Sequence, residues 1–183
     1  MRVIGIDPGS AATGWGVVEL VRGALVHRGH GVVRVPPGDP GPRLAFLARS
    51  VSELLERERP AVAAVEQIFV ARSPRAALVL GQARGVVLAV AALAGIPVVE
   101  YAPAEVKQTV TGSGRAAKAQ VQWMVGALLS LPRRPAQDAA DALALAICHA
   151  RGGRLRALGA PGGRRRRLRE VAAAALRRQR GGS

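Results

Sequence analysis

Four carboxylates of this 183-residue chain occupy positions where apolar residues would be expected. Asp7 closes the apolar run Val3-Ile4-Gly5-Ile6, and Glu66 closes Ala61-Val62-Ala63-Ala64-Val65. Asp138 and Asp141 lie in Gln137-Asp138-Ala139-Ala140-Asp141-Ala142-Leu143-Ala144-Leu145, where a spacing of three puts both on one face of a helix. Acidic groups are seldom buried without a partner, and like charges one helical turn apart destabilise each other unless a cation intervenes. Gathered in one place, four such groups form an all-oxygen donor set suited to hard ions such as Mg²⁺ or Mn²⁺. Two such ions about 4 Å apart can activate a water and stabilise the leaving oxygen of a phosphodiester, which is the chemistry of a nuclease. Two of the acids also have simpler roles open to them. Asp7 precedes Pro8-Gly9, and Asp beside such a turn commonly bonds its own backbone two residues on. Asp138, at a helix start, complements the helix dipole.

Bringing the four together is the task of the surrounding elements. Val3 to Ile6 reads as a short buried strand, followed by strand-like runs at Trp15–Val21 and Ala24–Val35 separated by Arg22-Gly23. Such short connections imply a three-stranded antiparallel meander. Pro36 to Pro42 breaks it, and Arg43 to Arg59 carries Leu44, Leu47, Val51 and Leu54 at helical spacing. A strand is expected at 61–66, a long helix at 74–94, a fifth strand at 96–101, and helices at 103–110, 115–130 and 135–150. The expected class is therefore α/β, with a mixed five-stranded sheet flanked by helices. Strand-helix-strand units of this length favour parallel pairing through a right-handed crossover. If the first and fourth strands are parallel neighbours, Asp7 and Glu66 meet at one sheet edge, and a helix packed across that edge adds Asp138 and Asp141. Gly81 and Gly85 inside the 74–94 helix each cost about 1 kcal/mol relative to Ala, which close approach of a neighbour would explain, whether a second copy of the chain or its own sheet.

Composition narrows the partners. The net charge of +15 and a pI near 11.8 point to a polyanion, nucleic acid before anionic membrane. Residues 151–183 hold eleven Arg and one Glu, a net +10, which leaves +5 for the remaining 150 residues. The expected organisation is one domain over residues 1–150 and an Arg- and Gly-rich basic tail over 151–183, mostly disordered, with room for a short helix at 168–180. No signal-like segment opens the chain, and Arg, Pro or Glu interrupts every apolar run before the roughly 20 residues needed to cross a bilayer, so a cytoplasmic protein is expected. Cys148, the single cysteine, excludes an internal disulfide and a cysteine-based zinc site. His27, His30 and His149 read as surface or strand residues.

The motifs in their order resemble a known family. Asp7-Pro-Gly with Thr13-Gly14-Trp15-Gly16, Val65-Glu66-Gln67-Ile68-Phe69, Gly81-Gln82-Ala83-Arg84-Gly85, Val106-Lys107-Gln108-Thr109-Val110-Thr111-Gly112 and Asp138-Ala-Ala-Asp141-Ala-Leu are together similar to the RuvC family of bacterial Holliday-junction resolvases. The resemblance spans about residues 1–150. It implies a ribonuclease H-like fold, a homodimer, and nicking of two opposed strands of a four-way DNA junction that depends on Mg²⁺ or Mn²⁺, two ions per active site. It implies a place beside the RuvA-RuvB branch-migration complex. Its catalytic and metal-binding acids fall on Asp7, Glu66, Asp138 and Asp141. Lys107 and Lys118 match basic residues that hold scissile-strand phosphates, and Phe69 matches an aromatic that stacks at the open junction centre. Arg75, Arg84 and Arg115 are the further DNA contacts expected. Trp15 departs from the Tyr associated with its position.

Two other readings compete. The first strand with Asp7-Pro8-Gly9 also resembles the phosphate strand of the sugar kinase, actin and chaperone ATPase group, but those need two such domains around a nucleotide, and this chain has residues for one. A junction-binding protein without catalysis would share charge and fold, yet four retained carboxylates oppose DNA binding in the absence of a cation.

Overall fold

The computed structural model describes residues 1–9, 11–67 and 73–159, with side chains described through Gly152. β1 (Arg2–Asp7) is the central strand of a five-stranded sheet completed by β2 (Ala12–Val21), β3 (Ala24–Arg34), β4 (Val62–Glu66) and β5 (Val98–Tyr101), in the spatial order β3-β2-β1-β4-β5. β1, β2 and β3 form the antiparallel meander expected from the Arg22-Gly23 turn. Both turn residues have positive φ, 49° and 88°, as a tight hairpin demands. β4 runs parallel to β1 and β5 parallel to β4. Asp7 and Glu66 therefore end at the same edge. Val3, Ile4, Ile6 and Val62–Val65 are buried on both sheet faces, which is why their alternation is lost and they read as continuous apolar runs.

Helices cover both faces. α1 (Pro40–Glu58) and α2 (Pro74–Leu93) bury Leu47, Val51, Leu54, Leu55, Ala83, Val87 and Ala91 against Ile4, Ile6, Val17 and Val65. Arg59, in the left-handed region with φ 46°, and Pro60 end α1, while the Ser73 hydroxyl accepts from the Ala76 N–H at 3.2 Å to start α2. On the other face, α3 (Pro103–Thr111), α4 (Lys118–Leu128) and α5 (Gln137–Gly159) pack Val106, Val110, Val121, Val125, Leu143 and Ile147 against Val3, Val18 and Ala64. Each fully buried Leu, Ile or Val contributes about 1.5–3 kcal/mol. Residues Met1–Gly153 make up one compact unit.

The seat of α5 is the feature on which the site depends. A Cβ on Gly5 of β1 would overlap the Ala142 carbonyl oxygen, and one on Gly14 of β2 would overlap the Asp138 carbonyl oxygen. Only glycine at these positions lets the α5 backbone lie directly on the sheet. Ala139, Ala140 and Ala142 complete the close fit from the helix side.

Most expected elements are present with shifted ends. β2 begins at Ala12 rather than Trp15, because Gly14 and Gly16 pair with Asp7 and Gly5 despite their weak strand preference. α4 begins at Lys118 rather than Arg115, and β5 at Val98 rather than Ile96. α5 continues past 150 to Gly159. The Trp15 ring lies 5.2 Å beneath the Arg57 guanidinium, a cation–π contact between sheet and α1. Phe69 and the tail readings beyond 159 fall outside the described residues.

α2 departs from the expectation that no helix could cross a bilayer. By length and composition its 20 residues are long and apolar enough to do so, because Arg75 and Arg84 are its sole charges. It is mostly uncovered, with Leu78 64% and Leu93 87% exposed.

Candidate active site

The four acids arrive from three elements. Asp7 ends β1 opposite Gly14 of β2, and Glu66 ends β4 opposite Tyr101 of β5. Asp138 and Asp141 occupy the first turns of α5, held at that height by the Gly5 and Gly14 contacts. Asp7, Glu66 and Asp141 line one cleft of about 270 Å³ together with Lys107 on α3 and Lys118 at the start of α4. Val106, Val121, Ala144 and Leu145 form its apolar floor. Asp138 is not among the lining residues, and its charge acts on Asp7.

Electrostatics show a site short of positive charge. Burial, then the charges of Glu66, Asp141 and Asp138, push the Asp7 carboxyl up to about 7, against the opposing pull of Lys118. Glu66 is raised as well, first by burial and then by Asp141, with Lys118 and Lys107 opposing. Lys118 is raised above the usual lysine range, chiefly by Asp141. Its ammonium donates to Asp141 Oδ2 at 3.2 Å, and Gln137 Nε2 donates to Asp141 Oδ1 at 3.2 Å. Both oxygens of Asp141 are thus held by neighbours on α4 and α5.

The donor set fits hard divalent ions. It offers oxygen alone, and the raised Asp7 and Glu66 carboxyls, pushed up by burial and by neighbouring acids, are under the kind of strain that a bound cation relieves. Among the described residues no three His, Cys, Asp or Glu side chains already close on a single point. The Lys118–Asp141 ion pair, with which a cation held by Asp141 would compete, is weak, the lysine side chain being 71% exposed.

The remaining expected site residues divide. Lys107 faces the cleft and acts on Glu66. Arg115 is exposed in the α3–α4 turn, and Arg75 is exposed at the first turn of α2. Arg84 is largely buried and paired with Glu100 of β5 at 2.7 Å, an intramolecular use of its guanidinium. His149 shares a 2.8 Å hydrogen bond with the Tyr101 hydroxyl, and His27 and His30 share one of 2.8 Å on the outer strand β3. None of the three histidines lines the cleft. Gln137 was missed by motif reasoning, although its (i, i+4) spacing to Asp141 on a helix is the signal that finds it.

The comparisons with known proteins agree with this geometry. The family profile described as crossover junction endodeoxyribonuclease RuvC matches residues 3–149. A crossover junction endodeoxyribonuclease RuvC of Alkalilimnicola ehrlichii is 54% identical over 148 residues, covering 81% of this chain and 90% of its own length. Its counterpart from Pelotomaculum thermopropionicum is 51% identical over 154 residues, covering 82% and 93%. Thermus thermophilus RuvC in complex with Holliday junction substrate superposes with a TM-score of 0.79 at 40% identity, over 85% of this chain and 96% of that one. The yeast mitochondrial Holliday junction resolvase, at 12% identity and a TM-score of 0.61, shares the fold over 81% and 78% of the two chains. The mixed sheet with helices on both faces is ribonuclease H-like, and the chain belongs to the RuvC family of crossover junction endodeoxyribonucleases.

Proposed function

We propose that this chain resolves four-way DNA junctions by hydrolysing one phosphodiester on each of two opposed strands. The observation that carries the reading is the convergence of Asp7, Glu66 and Asp141 with Lys107 and Lys118 on one cleft at the sheet edge. Asp7, Glu66, Asp138 and Asp141 would hold two Mg²⁺ or Mn²⁺ ions, which supply an activated water and stabilise the leaving oxygen. The protein's own part is positional and electrostatic. Gln137 orients Asp141 through Oδ1. Lys107, half-buried at the cleft wall, and Lys118, free to leave Asp141 for an incoming phosphate, neutralise the non-bridging oxygens of the scissile group. Arg75 and Arg115 hold flanking phosphates from exposed positions, and Phe69 stacks at the junction centre. Arg84 supports the α2–β5 packing through Glu100.

A single cleft cuts one strand at a time, so symmetric resolution requires two copies about a two-fold axis. The uncovered apolar side of α2 suits that contact. Leu78 is exposed there, and a Cβ on Gly81 or Gly85 would meet nothing within 4 Å, so these glycines serve no contact inside the described protomer and leave room for a second backbone. The domain at 1–150 carries the catalysis, and the basic tail at 151–183 adds phosphate attraction that is independent of junction shape. The setting is the cytoplasm, beside the RuvA-RuvB complex that moves the junction.

Incubation of a synthetic four-way junction with the protein and Mn²⁺ or Mg²⁺ tests the reading. Paired nicks at symmetric positions are expected, with none from Glu66→Gln. Near-normal nicking by that variant would show that the cluster is misassigned.

A further inference from the structure

Charge in the body of this protein is concentrated in one stretch. Residues 106–137 hold Lys107, Arg115, Lys118, Arg133 and Arg134 and no carboxylate, whereas acids and bases balance over the rest of residues 1–150. The stretch runs from α3 through α4 to the start of α5, and its Val106, Lys107, Lys118 and Val121 line the catalytic cleft. Lys107 and Lys118 face the cleft. Arg133 and Arg134 do not; both are exposed in the α4–α5 loop, and neither makes an ion pair among the described residues.

That loop is tied down. Gln122 Nε2 of α4 donates to the Pro135 carbonyl at 2.8 Å, the Leu131 N–H donates to the Gly126 carbonyl at 2.9 Å, and Pro135 is buried. The two arginines are held a few residues ahead of Asp138. Trp123, next to Gln122, is 53% exposed, an unusual site for one of only two tryptophans in the chain. Guanidinium groups with no ion pair among the described residues and an exposed indole, on an anchored scaffold whose stretch 106–137 holds no acid, match the needs of a nucleic-acid backbone.

We propose that Arg133, Arg134 and Trp123 form a second DNA-binding surface, continuous with the catalytic cleft, that grips the duplex arm beside the cut. The two arginines contact phosphates, and the indole packs against the sugar-phosphate backbone. α4, at 11 residues, is about 16 Å long. That is the length of roughly five base pairs at about 3.4 Å each, so the contacts fall within about five base pairs of the scissile phosphate. The inference rests on the junction-resolving reading for its substrate.

The test uses the full-length protein and a four-way junction with Ca²⁺ in place of the catalytic ion. With two phosphates no longer neutralised, Arg133→Ala combined with Arg134→Ala should flatten the plot of log affinity against log salt by about 1.8. Equivalently, the fall in affinity between 50 and 200 mM salt should shrink about tenfold. In a second measurement Trp15→Phe leaves Trp123 as the only indole, and junction binding should shield it from acrylamide quenching. An unchanged salt slope, or a Trp123 quenched equally with and without junction, overturns the proposal and leaves the surface to a protein partner. The two readings fail separately. Wild-type protein that binds the junction but never nicks it in Mg²⁺ or Mn²⁺ sinks the catalytic assignment alone, whereas normal nicking with an unchanged slope sinks this surface alone.

Discussion

Replacing Asp7 by Asn should make the metal-free protein more stable, although it removes a group at the centre of the site. The folded Asp7 carboxyl sits at about 7 against 3.8 for an unperturbed one, mainly through burial and then through Glu66 and Asp141. Between those values the folded state binds a proton that the unfolded state has lost, so stability falls as pH rises from about 4 to 7 and stays low above that range. At about 1.4 kcal/mol per unit, the shift corresponds to a cost of up to about 4 kcal/mol at pH 8. Glu66 is raised as well, by burial and then by Asp141. Asn keeps the shape and drops the charge. Thermal unfolding in EDTA, followed by circular dichroism from pH 4 to 9, should show Asp7→Asn and wild type together near pH 4 and the variant several degrees higher at pH 8. Millimolar Mg²⁺ or Mn²⁺ should then raise the wild type and not the variant, because an ion that binds only the folded site stabilises it by mass action. A variant less stable than wild type at pH 8 in EDTA, or a gap that does not change with pH, would refute the claim that uncompensated charge is held at this edge.

Further outcomes follow from the same geometry. Asp141→Asn should lose nicking while junction binding persists, and Asp138→Asn, at a residue outside the cleft lining, should lose only about 10–100-fold; equal losses in single-turnover assays would place the two acids alike. Gly85→Leu should remain folded by circular dichroism, since nothing occupies the space beyond its Cβ, yet sediment as a monomer and lose paired nicking; a folded dimer with normal paired nicks would move the interface elsewhere. Thr13 is buried with a hydroxyl that finds no partner among the described residues, so Thr13→Val should raise stability by about 1 kcal/mol in urea titration, and a loss would reveal a hydrogen bond there. Deleting residues 151–183 should flatten the salt dependence of DNA binding by about 0.9 for every phosphate the tail neutralises, and leave the junction cut in the same place; an unchanged slope would make the tail a bystander in DNA binding.

Local patterning was enough to read the strands, because Val3 to Ile6 and Val62 to Val65 are continuous apolar runs and each stops at a carboxylate. The helix carrying Asp138 and Asp141 was equally plain, since two acids three residues apart in an Ala and Leu run have one geometry. Connection length favoured parallel pairing for the strand-helix-strand unit of β4 and β5, but the pairing of β1 with β4 that unites Asp7 with Glu66 stood only as a condition, and the sheet order decided it. Contacts distant in sequence were another matter. The reach of Lys118 to Asp141, the pairing of Arg84 with Glu100 and the tie of Gln122 to Pro135 depend on how helices cross, which no periodicity encodes. Gly5 and Gly14 show the division most clearly. Within a strand each reads as a local weakness, and the reason for both becomes visible only when the backbone of α5 is seen lying where their side chains would have been. Tertiary packing overrides local propensity at those two positions, and through them it sets the height at which Asp138 and Asp141 meet the sheet edge.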